Sequence, residues 1–236
     1  MNPTLQPNYY SFGGCEEYCP GIDPGGNATR RILFVAPLFD EMNRTRRMLI
    51  STMRALGGRG VSSFLPDLPG ANESSAALID QDIACWQAAM AAAAAQLKVT
   101  HIASVRGGSL IDGAMPDAPH WRLMPAKGAN LLKTMLRTRV AGDKEMGLTT
   151  TSDALIVESA HQPILLAGNW LSPAMVTQLH DTVCADVPHL RSVSIGEGAD
   201  MIKGSALWLR AEPQDDPDMA QALAADLDRW SASCGA

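Results

Sequence analysis

Short apolar runs alternate along this chain with stripes at helical spacing. Residues 31–36 (Arg-Ile-Leu-Phe-Val-Ala) form an apolar run stopped by Pro37, which predicts a strand buried on both faces. Met48, Leu49, Thr52, Met53 and Leu56 then repeat at helical spacing, and Gly57-Gly58 closes a helix predicted over 43–56. Residues 61–65 predict a second strand, ended by Pro66, and 67–75 read as a turn-rich loop. A long helix is expected over 80–97, with Ile83, Trp86, Met90 and Leu97 on one face, followed by a strand over 100–105. Strands alternating with helices at this spacing argue for a mostly parallel sheet covered on both faces.

The second half is less regular. It predicts a strand at 121–124, a helix at 129–141 and a strongly strand-like run at 163–167. Ser172-Pro173 is a helix start, with serine as cap and proline in the first turn. Further strands are expected at 191–195 and 206–209, and an amphipathic helix at 218–230. Asp215-Asp216-Pro217-Asp218 suits the charge preference of that helix's N-terminus and lacks the ligand spacing of a calcium loop. Residues 1–29, rich in Pro, Gly, Asn and Tyr, read as an irregular arm with room for a short edge hairpin; 30–236 read as one domain, with a small helical cap around 125–160.

Composition narrows the function classes. The chain has 236 residues, 46% of them hydrophobic, which suits one core better than two. A net charge of -6 argues against a nucleic-acid binder, while leaving room for a local basic pocket. The first residues carry no basic and apolar leader, and no apolar stretch reaches spanning length, so neither a signal peptide nor a membrane span is expected. Five cysteines are scattered at 15, 19, 85, 184 and 234. Without a second ligand pair beside Cys15 and Cys19, free thiols in a reducing cytoplasm are expected rather than a metal site, and no cofactor is implied.

Three turns carry the chemistry. The first strand leads to Pro37-Leu-Phe39-Asp-Glu41-Met-Asn43, the second to Asp67-Leu-Pro-Gly70, and the third to Ser104-Val-Arg106-Gly107-Gly108-Ser109. In α/β-hydrolases the first loop helps build the oxyanion hole, and the third position is the nucleophile elbow, normally G-x-S-x-G. Here small residues flank the turn, but the nucleophile post holds Arg106, whose guanidinium stays protonated and cannot attack an acyl carbon.

These blocks resemble the exosortase A system-associated hydrolase family, type 2. Residues 39–48 (Phe-Asp-Glu-Met-Asn-Arg-Thr-Arg-Arg-Met) are similar to its Glu-Met-Asn-Lys-Ser-Arg-Arg-Met segment, and its Leu-Arg-x-Gly elbow also carries arginine. Residues 65–70, 132–139 and 167–173 fit its pattern, so the likeness covers most of 31–230; Asn72 departs from it, standing where glycine is expected. The resemblance implies an α/β-hydrolase-like three-layer sandwich and a place in an exosortase-linked exopolysaccharide system. It does not fix a reaction.

Chain order in this fold is nucleophile, acid, histidine. The acid is expected after the strand at 163–167, where the chain reads Gly168-Asn169-Trp170; no histidine follows His189. The serine triad is therefore not found. Arg106, placed at a helix N-terminus, invites an anionic ligand such as an acidic glycan, a carboxylated metabolite or a phosphorylated lipid precursor, with Phe39, Glu41, Asn43, Gly107 and Gly108 around it. Alternatively Arg106 pairs with Glu41 from the facing loop. Glu41 is also a candidate base on water, although a neighbouring guanidinium weakens it in that role. Ser104 and Ser109 remain candidates for a displaced nucleophile, more simply read as packing and capping residues. His101 is expected at a surface or edge, and His120, His161, His180 and His189 in loops or helices. Trp121, Trp170 and Trp208 are expected as core or pocket walls. Three functions stay open: hydrolysis by an unusual mechanism, hydrolysis from a displaced serine or cysteine, and a non-catalytic binding or scaffold protein, with a homodimer admitted.

Overall fold

A computed structural model describes residues 4–25, 28–187, 189–198 and 200–234. In chain order the strands are β1 Gln6–Phe12, β2 Cys15–Ile22, β3 Arg31–Val35, β4 Ser62–Phe64, β5 His101–Val105, β6 His120–Leu123, β7 Ile164–Leu166, β8 Asn169–Leu171, β9 Leu190–Ile195 and β10 Met201–Ile202. The α-helices are α1 Asp40–Gly57, α2 Ile83–Gln96, α3 Gly128–Glu145, α4 Ser152–Ser159, α5 Pro173–Asp181 and α6 Pro217–Ser233.

Eight strands form one sheet in the order β1-β2-β4-β3-β5-β6-β9-β10. From β4 to β10 every pairing is parallel, whereas β1–β2 and β2–β4 are antiparallel. Successive residues of β3 go to opposite faces, as the pleat demands. Ile32 and Phe34 join a core with α1 and α6, while Leu33 and Val35 join one with α2, α3 and α5. That makes a three-layer sandwich with the cores above and below the sheet.

Several elements differ from the sequence reading, each for a local reason. The N-terminal arm is a regular hairpin, β1–β2, that extends the sheet: Gly21 and Ile22 pair with β4, and Tyr10 and Cys19 are fully buried. The helix expected from residue 80 starts at Ile83, because the Asp82 side chain accepts a hydrogen bond from the Cys85 N–H, and a short 3-10 turn takes 78–80. The run at 163–167 is not a central strand. Ala167 (φ 46°) and Gly168 (φ 80°) make a two-residue turn that folds β7 back onto β8, and this hairpin stands apart from the main sheet. Residues 207–209 are a 3-10 turn rather than a strand, and the last strand is β10. The segment around 125–160 holds α3 and α4, and α3 buries Leu131, Leu132, Met135 and Leu136 in the sheet-facing core. Among the described residues no helix is long and apolar enough to cross a membrane.

Candidate active site

The elbow forms where β5 ends. Arg106 takes φ 53°, a backbone region that costs a non-glycine residue energy, at the position of the sharp turn. No α-helix follows, so Arg106 does not sit at a helix N-terminus as expected. Residues 106–110 make only a five-residue 3-10 turn. Gly107-Gly108 is a poor helix start, and the chain must re-enter the sheet at His120. Gly108 is required by proximity: a Cβ there would lie 2.4 Å from the Val35 carbonyl oxygen and 2.5 Å from that of Ala36. Elbow and β3 thus touch backbone to backbone.

The Arg106 side chain is engaged on three sides. Its Nε donates to Glu41 Oε2 at 3.2 Å and its Nη2 to Glu41 Oε1 at 3.1 Å, a bidentate pair. Nη1 reaches the Met124 carbonyl at 3.4 Å, and the Trp208 ring lies 5.0 Å from the guanidinium carbon. Arg106 and Glu41 keep 20% and 17% of their side-chain surface exposed. Glu41 is placed there by α1, whose first residue follows Phe39 at φ 56°, ψ -133°. Thus the structure brings together Glu41 and Arg106, and adds Trp208, which the sequence marked only as a wall.

The candidate serines have other partners. Ser104, fully buried on β5, donates to Asp112 Oδ2 at 2.7 Å. Asp112 also takes two bonds from Arg122, both at 2.8 Å, in a buried network that the sequence did not flag. A carboxylate four residues past Gly108, followed ten residues later by an arginine on the next strand, was the available signal. Ser109 donates to the Arg106 carbonyl at 2.7 Å and lies 3.1 Å from Cys184 Sγ.

No described histidine ring bonds a serine or cysteine side chain. His101 is not at the surface but buried edge-on against Trp230, its ring 2.7 Å from the Thr100 hydroxyl, and burial pushes its pKa down. His120 is the buried first residue of β6, held by the Ala118 and Asp112 carbonyls. His180 pairs with its neighbour Asp181 at 2.7 Å. The strand that follows β6 in the sheet is β9, so the acid post moves from 168–170 to the loop after Ile195. That loop carries Glu197, exposed, and Asp200, which pairs with Arg191 at 3.0 Å. After β10 the chain presents Trp208 to the elbow.

A cavity of about 360 Å³ opens beside this site, lined by Phe39, Asn43, Asn72, Trp86, Gly168 and Asn169 among others. Phe39 and Asn43 were expected at the site and line this cavity; Glu41 and Arg106 do not. Its walls concentrate backbone strain. Phe39, Asn72 (φ 49°) and Ala167, all in positive φ, border it. Asn72 stands where glycine was expected because asparagine tolerates that conformation; its amide donates to Asp67, which also pairs with Arg46 at 2.7 Å. A larger cavity of about 780 Å³ also borders the β7–β8 turn, at Gly168 and Asn169. All five cysteines are free thiols, and burial pushes the Cys19 pKa up to about 12. Among the described residues no group of three or more His, Cys, Asp or Glu is placed to hold a metal ion.

The architecture and a strained turn after the fifth strand define an α/β-hydrolase-like fold, and comparison with solved structures agrees. Est1E from Butyrivibrio proteoclasticus is similar over 80% of this chain and 76% of its own, with 15% identity and a TM-score of 0.55. Its complex with ferulic acid matches over 73% and 70%, with 16% identity and a TM-score of 0.53. A provisionally assigned hydrolase of Agrobacterium vitis S4 matches over 76% and 72%, with 12% identity and a TM-score of 0.51. At these identities the likeness is one of fold. No family model matches the chain, and no curated protein matches it.

Proposed function

We propose that this protein is a ligand-binding member of the α/β-hydrolase fold without serine-type ester hydrolysis, working in the cytoplasm with an exosortase-linked exopolysaccharide system. The observation that carries this is the bidentate Arg106–Glu41 pair under Trp208 at the nucleophile post. A permanently protonated guanidinium supplies no attacking electron pair. Ser109 is held by a carbonyl, and Ser104 by the Asp112 carboxylate, which its bidentate Arg122 partner weakens as a base. The exosortase link rests on the similarity of the 39–48 segment and the arginine elbow alone. An acyl, ester or small glycan-linked ligand is supported by the cavity that Phe39 and Asn43 border, and by the ferulic acid held in Est1E.

Hydrolysis of p-nitrophenyl acetate and butyrate tests the proposal. The expected rate equals the buffer background for the native protein and for Arg106→Ser alike, since a serine restored at the elbow still finds no histidine. Saturable turnover by the native protein would overturn it.

One observation favours a second reading, anion capture at Arg106: the pair is partly exposed. An anion gains the bidentate Nε–Nη2 edge of the guanidinium only by displacing Glu41. Inorganic phosphate should therefore raise the melting temperature of Glu41→Gln more than that of the native protein, and an equal response in both would sink this reading.

A further inference from the structure

The two cavities flanking the β7–β8 turn differ in chemistry. The larger one is walled by Ile79, Leu155, Ile164, Leu165 and Trp170, with Arg139 and Glu158 also in its lining. Trp170 keeps 52% of its surface in water and Ile79 keeps 37%, although both are apolar. Apolar surface left exposed around a concavity of this volume is the usual form of a site for an apolar group.

The smaller cavity is polar and nearly uncharged. Among the described residues its sole charged lining residue is Asp40, which pairs with Arg44 at 2.5 Å, and no cation lines it. Asn43 has no side-chain hydrogen bond among the described residues. Asn169 donates its amide to the Ala167 carbonyl and keeps its Oδ1 as an acceptor. Phe39 and Trp86, with ring centroids 5.4 Å apart, supply an aromatic wall. Neutral donors and acceptors around an aromatic face suit hydroxyl groups better than an anion.

The cavities share Leu78, Gly168 and Asn169. At Gly168 an added Cβ would meet nothing within 4 Å, so the backbone that both cavities share faces open space there. We propose that together they form one site for an amphiphile, with a neutral polyhydroxylated head in the smaller cavity and an alkyl or acyl chain in the larger. This rests on the reading that the cleft beside the elbow binds rather than hydrolyses, and it names the ligand class.

Titration with decyl glucoside below its micellar concentration tests it. Trp86, Trp121, Trp208 and Trp230 are each no more than 6% exposed, so acrylamide-quenchable emission comes from Trp170. The expected result is a saturable blue shift with loss of quenching, and affinity about tenfold or more above that for glucose or decanoate alone. Ile79→Asp should weaken decyl glucoside binding about tenfold or more. Asn43→Ala, on the exposed face of α1, should weaken it about three- to tenfold while leaving decanoate unchanged. Tighter binding of decanoate than of the glucoside overturns the neutral head. Binding unaltered by both substitutions indicates adsorption, and absence of binding removes the site; both overturn the proposal. Neither outcome bears on ester turnover, which tests the non-hydrolytic reading separately.

Discussion

Removing Glu41 should cost stability by an amount its burial sets. Exposed ion pairs contribute about 0–1 kcal/mol, and stripping one partner from a fully buried pair costs about 3–5 kcal/mol. The Arg106–Glu41 pair lies between, with about four-fifths of each side chain covered and bonds of 3.1 and 3.2 Å, longer than ideal charge-assisted ones. Glu41→Gln keeps one acceptor for the guanidinium, so a loss of about 1–2 kcal/mol is expected, or about 2–8 °C in melting temperature for a chain of this size. Arg106→Gln should cost more, because it also gives up the Trp208 contact, worth about 0.5–2 kcal/mol. Glutamine and arginine are both unbranched at Cβ, so the backbone cost of φ 53° largely cancels. A double-mutant cycle by urea denaturation should give a coupling of about 1 kcal/mol or more. A coupling below about 0.3 kcal/mol, the scatter of independent sites, would refute the claim that the pair holds the elbow together.

Three further outcomes follow from the geometry. Asp112→Ala should destabilise by about 3–5 kcal/mol in the same denaturation assay, because Arg122, 3% exposed, is left buried without its counter-charge. Gly108→Ala should cost at least about 1–3 kcal/mol, and more than Gly107→Ala, since its new methyl meets two backbone oxygens rather than the flexible end of Leu131. His101 has its pKa lowered by burial, so the unfolded chain binds a proton that the folded chain refuses. Its contribution is fully present above about pH 6.5 and is lost as pH falls below that value, so stability relative to His101→Gln should decline on acidification and stay flat from pH 7 to 8; a decline on alkalinisation instead would contradict the burial argument.

Much of the fold was legible because local rules were strong. The apolar run before Pro37 and the stripe ending at Gly57-Gly58 gave β3 and α1 close to their true bounds, and Ser172-Pro173 marked the start of α5. Asp215–Asp218 similarly marked the start of α6, where the Asp216 side chain accepts from the Met219 N–H. The failures came where tertiary context decided between equal local options. Residues 163–167 look like any buried strand, and only the pairing across Ala167-Gly168 turns them into a separate hairpin. That error carried over to the acid post, because the sheet's next strand lies near residue 190. At the site, Glu41 and Arg106 could be named from their loops, since the parallel order of β3 and β5 makes those loops neighbours. Trp208 was out of reach, because a long-range contact with no spacing signature brings it to Arg106; the Asp112 network lay within twenty residues of chain and was passed over.

Treatment with a fluorophosphonate probe, read by intact-protein mass, tests the central claim most directly. With Arg106 in place of a nucleophile and no histidine bonded to a serine side chain among the described residues, the native protein should keep its unmodified mass after prolonged exposure. A stoichiometric adduct, lost in Ser104→Ala or Ser109→Ala, would contradict the account and return the protein to the serine hydrolases.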